Sequence, residues 1–281
     1  MVRSSINKKA LAIRLGISRS SLYYQPKRPA IDEEVKCQIE SVLADHPAYG
    51  HKRLALALKM NRKRILRVMK KFAIKPYRRR AKKLVKKTDL GKPSAIYLNL
   101  IKEDRTKLLT RQPNSIWFTD FTFLRFHQRF IYLATIMDLA TREIVGVNLS
   151  RFHSRFLVMG AYLNARDSYP PPKIIHSDQG SEYASRDFTD LATSEQVKIS
   201  MSHKASPWQN GEQESFFGRL KTEAGNLDRF ETTGELLEEI YRMIYYYNHS
   251  RIHGRLKMTP EQYRDKLAKS KINYESEKLG T

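Results

Sequence analysis

Asp120, Asp178 and Glu214 are the residues of this 281-residue chain whose type and setting point to chemistry. Asp120 sits inside Trp117-Phe118-Thr119-Asp120-Phe121-Thr122, a run of aromatic and strand-forming residues in which Asp is depleted. Asp178 follows the run Ile174-Ile175-His176 in the turn Ser177-Asp178-Gln179-Gly180, at the carboxyl end of an expected strand, where α/β sheets present ligands. Glu214 lies one turn into a helix expected from about residue 209. Singly, each acid has an ordinary explanation, as a buried ion-pair partner, a turn residue and an exposed helix acid. Brought together, three carboxylates repel one another and take up protons at neutral pH unless cations offset their charge, so a cluster of them implies bound metal. A donor set of oxygens suits Mg2+ or Mn2+ and not zinc. Two such ions, about 3.5–4 Å apart, stabilise both the attacking and the leaving oxygen of a phosphodiester displacement.

The elements that must carry these acids follow from periodicity. Residues 116–126, 130–137 and 144–149 are rich in β-branched and aromatic residues, with short connections at Gln128 and Ala140-Thr141, and predict an antiparallel meander with Asp120 inside its first strand. A helix over about 156–167, a strand over 173–176, a helix near 188–195, a strand over 197–201 and long helices over about 209–224 and 233–249 complete an α/β domain.

Ahead of that domain the chain changes character. Residues 1–112 hold 30 Lys and Arg against 8 acids, whereas residues 113–281 hold 22 against 21, so nearly all of the formal charge of +23 lies in the first part. That asymmetry points to a polyanionic partner gripped by the first part. Residues 8–24 predict two short helices about Gly16, in the manner of a helix-turn-helix with Arg19 presented outward. A second helical unit spans about 31–74, with a turn at Pro47-Ala48-Tyr49-Gly50 and Asn61 as a cap. Its last helix sets Ile65, Met69 and Phe72 on one stripe and the basic Arg62, Lys63, Arg67 and Lys70 away from it. Arg78, Arg79, Arg80, Lys82, Lys83, Lys86 and Lys87 then place seven cations in ten residues, a self-repelling tether suited to a phosphate backbone. Cys37 is the only cysteine, which removes a disulfide framework and a cysteine-based zinc site. Residues 1–9 lack the apolar core of a signal peptide, and no apolar run is long enough for a membrane span, so a cytoplasmic protein is expected.

The spacing of the acids carries a resemblance. Fifty-seven residues separate Asp120 from Asp178, and 35 separate Asp178 from Glu214. This resembles the D,D(35)E pattern of the retroviral-integrase superfamily. The blocks PNSIWFTDFTF, YLATIMDLATREIVG, IIHSDQGSEY, ESFFGRLKTE and YYNHSRIHGRLKMTPEQY resemble those of insertion-sequence transposases of the two-frame type, specifically their downstream product, OrfB; HPAYGHKRLALAL and NRKRILRVMKKFAI resemble the helix-turn-helix segment ahead of the core in that group. The likeness runs from about Ala10 to Tyr263.

The resemblance implies an α/β chain with an RNase H-like catalytic core, a mixed five-stranded sheet with helices, preceded by small all-helical helix-turn-helix DNA-binding modules. The expected organisation is a helix-turn-helix-like segment at 1–30, a second such domain at 31–75, a basic linker at 76–112, the core at 113–265 and a tail at 266–281. The implied activity is metal-dependent strand cleavage and 3′-hydroxyl strand transfer at insertion-sequence ends. Asp120, Asp178 and Glu214 are the implied catalytic and metal-holding residues, with two Mg2+ or Mn2+ ions per site. Glu212 remains a second candidate for the third acid, because Pro207-Trp208-Gln209-Asn210-Gly211 departs from the segment relatives commonly show before the catalytic helix. Implied partners are double-stranded DNA, both transposon terminal repeats and target, further copies of the chain on that DNA, and OrfA or a fused upstream segment. Gly218 and Lys221 share a helical face with Glu214, which places Lys221 beside the DNA backbone. His176, His203, Asn248, Arg251 and His253 either orient phosphates or brace the core, Trp208 either stacks on a base or packs, and Tyr245-Tyr246-Tyr247 is expected to pack. Competing readings are a non-catalytic DNA-binding regulator derived from a transposase and an RNase H-like hydrolytic nuclease.

Overall fold

The computed structural model describes residues 7–23, 28–77, 97–101, 112–202 and 210–279, the last nine of these as backbone. The chain divides into two compact units, Met1–Tyr77 and Arg78–Thr281.

The first unit is helical. Helix α1, Lys8–Arg14, starts at Asn7, whose side-chain oxygen accepts the amides of Lys9 and Ala10 at 3.1 and 3.3 Å. Gly16 takes the turn at φ +65°. The next element is a 3-10 turn, Arg19–Tyr23, rather than the second α-helix expected from the sequence; Ser18 bonds Ser20 and Ser21 side chain to side chain and spends its capping oxygen locally. Helices α2, Arg28–Asp45, α3, His51–Ala57, and α4, Arg62–Lys71, form the rest, with Asn61 capping α4 through the Lys63 amide at 2.8 Å. Val35 and Ile39 of α2, Leu54 of α3 and Ile65, Val68 and Met69 of α4 are buried. Arg67 departs from its expected place on a free basic face. Both its terminal nitrogens bond the buried Asp32 of α2, at 2.7 and 2.6 Å, and Lys71 adds a third contact at 3.0 Å, because an acid in that core needs cations to offset it.

The second unit is built on strands β1, Ile116–Phe126, β2, Arg129–Asp138, β3, Ile144–Ser150, β4, Ile174–Ser177, and β5, Lys198–Met201, in the order β3-β2-β1-β4-β5. The first three are antiparallel, and β4 and β5 are parallel to β1. Helices α5, Arg155–Arg166, and α6, Arg186–Ser194, cover one face, where Trp117, Ala134 and Ile136 meet Val158, Ala161, Tyr162 and Phe188. Helices α7, Gly211–Ala224, and α8, Thr233–His249, cover the other, where Leu124, Leu133 and Met137 meet Phe216, Phe217, Leu220, Ile240 and Ile244. This two-sided burial explains why the start of β1 is apolar without alternation.

A last helix, α9, Pro260–Leu279, begins within the expected core and continues through the segment expected as a tail from residue 266. Its start carries a reciprocal cap: Thr259 Oγ1 accepts the Gln262 amide at 3.1 Å, and Gln262 Oε1 accepts the Thr259 amide at 3.2 Å. Among the described residues no helix is long and apolar enough to cross a membrane.

Candidate active site

The parallel ladder between β1 and β4 ends at the pair Phe118 and His176. Asp120 and Asp178 each lie two residues beyond that last pair, where the strands part and leave a crevice at the carboxyl end of β4. Asp178 Oδ1 accepts the Gly180 amide at 2.9 Å, which fixes the turn. A Cβ on Gly180 would stand 3.1 Å from that oxygen and 3.0 Å from Glu182 Oε2, so the crowding itself favours glycine there.

Helix α7 supplies Glu214. Its neighbour Gln213 is fully buried and fastens the helix to the sheet beside Asp120: Nε2 donates to the carbonyls of Phe118, at 2.9 Å, and Thr135, at 3.3 Å, while Oε1 accepts the Thr135 hydroxyl at 3.0 Å. Thr135 is the β2 residue paired directly with Asp120. The clamp therefore sets the register of Glu214 against the strand that carries the first acid. Glu212, one residue the other way, pairs with the buried Arg142 at 3.3 Å. The two glutamates left open by the sequence are thus separated by their neighbours.

Electrostatics join the three acids. Burial, the charge of Asp178 and the charge of Glu214 push the Asp120 carboxyl up to about 7, against a bond from the Phe121 amide and the charge of Lys221, which pull it down. Partial desolvation also raises Glu214, although the residue as a whole is exposed. Tyr183, fully buried with its hydroxyl 3.5 Å from Thr119 Oγ1, is pushed far up by burial and then by Asp120 and Asp178, so it stays neutral behind them. Lys221, two turns along α7 from Glu214, lies 4.6 Å from the ring centre of Phe123.

Among the described residues no three His, Cys, Asp or Glu side chains already stand as a closed metal-ligand group. The donor chemistry nevertheless fits a hard divalent cation: all three are carboxylates, burial together with their repulsion holds Asp120 near 7, and Asp178 and Glu214 are exposed.

Other expected residues have structural work. Asn248 bonds the amide and carbonyl of Ile144 at 3.0 and 2.9 Å and finishes the β3 edge, and Arg251 is buried against Glu223. His176 is buried with Nδ1 2.9 Å from Ser200 Oγ, and His253 faces the Tyr247 ring. Tyr247 packs in the core and bonds the Arg142 carbonyl at 3.0 Å, whereas Tyr245 is exposed. Arg19, Arg62, Lys63 and Lys70 are exposed. Arg78, Arg79, Arg80, Lys82, Lys83, His203 and Trp208 lie outside the described residues.

Gln213 escapes a reading of the sequence, although a signal exists. It falls on the helical stripe of Phe216, Phe217, Leu220 and Ala224, and a polar residue in an apolar stripe needs a buried partner.

Residues 110–207 and 214–267 match two models of the integrase core domain. An uncharacterized transposase-like protein of Haemophilus influenzae is 34% identical over 216 residues, covering 75% of this chain and 96% of the relative. InsK, named for transposition of insertion element IS150 in Escherichia coli K12, is 30% identical over 261 residues, covering 89% and 90%. The catalytic core of HTLV-2 integrase, solved in complex with magnesium, is 20% identical with a TM-score of 0.46 over 54% of this chain and 97% of that one.

Proposed function

Because this chain belongs to the insertion-sequence transposases built on the integrase core domain, and is a DNA transposase of the polynucleotidyl-transferase type, we propose that Asp120, Asp178 and Glu214 are its catalytic acids. The observation that carries this reading is that Asp120 and Asp178 each lie two residues beyond the last β1–β4 pair while the Gln213 clamp holds the turn of α7 carrying Glu214 against the same strand; burial and then the charges of the other two acids raise Asp120 accordingly.

These acids would hold Mg2+ or Mn2+, two ions per site. When bound, such ions offset charge on the attacking and leaving oxygens of an in-line phosphodiester displacement. The chain's own residues do the rest. Gln213 holds Glu214 in register with Asp120. Tyr183 keeps a neutral hydroxyl behind the crevice. Lys221 sets a cation near Asp120, where a non-bridging phosphate oxygen would lie. Water attacks phosphorus in the first step and a 3′-hydroxyl leaves; in the second step that hydroxyl attacks another phosphodiester, so one bond is made for each bond broken.

Arg19, Arg62, Lys63 and Lys70 of the helical unit, with the basic linker, are assigned to the phosphate backbone of terminal-repeat or target DNA. Arg67 is left out of that set because Asp32 occupies its guanidinium. Copies of the chain assemble on DNA in the cytosol, with OrfA or a fused upstream segment as a further partner. The test is Asp120→Asn with labelled transposon-end DNA and Mg2+. Cleavage and joining should fall by on the order of a thousandfold while end binding persists; full activity would remove the assignment.

A further inference from the structure

One sheet face extends beyond the helices that cover it. The cross-strand pairs Phe123 with Tyr132 and Arg125 with Phe130 set these four side chains on a common face of the β1–β2 hairpin. Nearer the middle of the sheet, Trp117 and Ala134 on that face are packed under α5 and α6. Toward the tip, Phe123 is 56% exposed and Phe130 50%, with their rings edge to face at 5.4 Å. A sheet face left to water ordinarily carries polar residues, so a pair of open phenyl rings marks a contact surface.

The charge around the rings says what it fits. Arg125, Arg129 and Arg151 line a groove of about 850 Å3 beside Phe130 and Tyr132. Asp228 is the one carboxylate in that lining, and it accepts the His127 amide at 2.5 Å. Arg151 donates to the Thr233 hydroxyl at 3.2 Å, and no ion pair of Arg125 or Arg129 is found among the described residues. A second copy of the chain docking symmetrically here would bring its arginines against these. Phosphates between bases with open π-faces match both features. Asp120 alternates to the opposite face of β1 from Phe123, and Lys221 bridges the two: its ammonium lies over the Phe123 ring while its charge reaches Asp120, which links the rings to the carboxylate crevice.

We infer that the tip of this hairpin is a DNA-contact surface of the core that takes unpaired nucleotides flanking the reacting phosphodiester, with bases on Phe123 and Phe130, and phosphates on Arg125 of that face and on Arg129 and Arg151 in the groove at the tip. Only the path from surface to crevice rests on the catalytic reading above; the binding itself does not.

The test uses the full chain in EDTA, so that no strand is cut, and fluorescence anisotropy with three probes: a blunt duplex of the element's end, that duplex with a short single-stranded flank, and an unrelated duplex with the same flank. The wild type should bind both flanked probes more tightly than the blunt one; a gain confined to the element's own end assigns the surface to the transposon strand, and a gain on both extends it to target DNA. F123A/F130A should lose that gain, by on the order of tenfold for each stacked base, and F123L/F130L, which keeps apolar bulk without a π-face, should lose it too. R125A/R129A should lower the slope of log affinity against log salt by about 1.4 for the flanked probes. Equal binding of flanked and blunt DNA by the wild type, or variants that retain the gain and the slope, would overturn the inference, as would a dimer broken by F123L/F130L with flanked affinity intact. Cleavage by Asp120→Asn in Mg2+ reads the catalytic assignment and the EDTA bindings read this surface, so either can fail without the other.

Discussion

Asp32 in the helical unit and Asp120 in the sheet are both withdrawn from solvent among strongly packed neighbours, and their surroundings push them in opposite directions. The hydrogen bonds of Arg67, and then of Lys71, hold Asp32 well below the usual carboxylate range. Burial and two further acids lift Asp120 to about 7. The first arrangement spends cations to fix helix α4 on α2 and leaves nothing to bind. The second collects like charges that stability alone does not favour, a repulsion that a bound cation would offset under the assignment proposed above. Burial of an acid is therefore uninformative until the sign of its neighbours is known.

The sharpest way to break that contrast lies within one turn of α7. Glu214→Gln should cut strand cleavage by on the order of a thousandfold with little change in melting temperature. Glu212→Gln should do the reverse: it leaves the buried Arg142 without its counter-charge and should cost about 1–3 kcal/mol of stability, with cleavage per folded molecule nearly kept. Thermal melts run beside cleavage assays decide it, and an exchange of the two phenotypes would move the third acid to Glu212.

Next in size is Gln213→Leu. Removing the clamp strands the Thr135 hydroxyl and frees the first turn of α7, so turnover should drop by on the order of a hundredfold, while affinity for end DNA stays level. Gln213→Glu should be no better, because a carboxylate cannot donate to the Phe118 and Thr135 carbonyls. Equal losses in binding and turnover would reduce Gln213 to a packing residue.

Metal tests the anionic side of the comparison directly. With Mg2+ at about ten times its Kd, the core should gain about 1.4 kcal/mol, seen as a melting shift of a few degrees that EDTA reverses. Asp120→Asn should melt higher than wild type in EDTA, since one of three repelling charges is gone, and should respond less to Mg2+. A variant that shifts as much as wild type would show the ion binding elsewhere.

These contrasts are unequally visible in the chain. The meander and helices α7 and α8 are legible because period and composition agree over many residues, and Asp120 stands out as an acid inside a strand. Glu214 is legible by spacing, but not its separation from Glu212, which depends on Arg142 reaching α7 from the turn between β2 and β3. The 3-10 turn after Gly16 reads as a helix, since apolar spacing over five residues does not tell the two apart. Helix α9 reads as a tail although Thr259-Pro260-Glu261-Gln262 carries both a capping box and a proline at the first helical position. Arg67 looks like part of a free basic face because its partner, Asp32, lies thirty-five residues earlier on another helix.

That partnership yields the smallest and most local effect. Asp32 has a native carboxyl held below its unfolded value, so its contribution is complete above about pH 5. It is lost as the pH falls through the native value, because the unfolded chain takes up the proton first. Amides of α2 and α4 should therefore lose protection, measured against their intrinsic exchange rates, on acidification below about pH 4, ahead of the sheet of the second unit. Asp32→Asn should raise their exchange severalfold at neutral pH and flatten the acid response, while the exchange of β1 and β2 amides stays at the wild-type level. Acid sensitivity of α4 that survives Asp32→Asn would place the titrating group elsewhere and end the pairing of Asp32 with Asp120 as opposite cases.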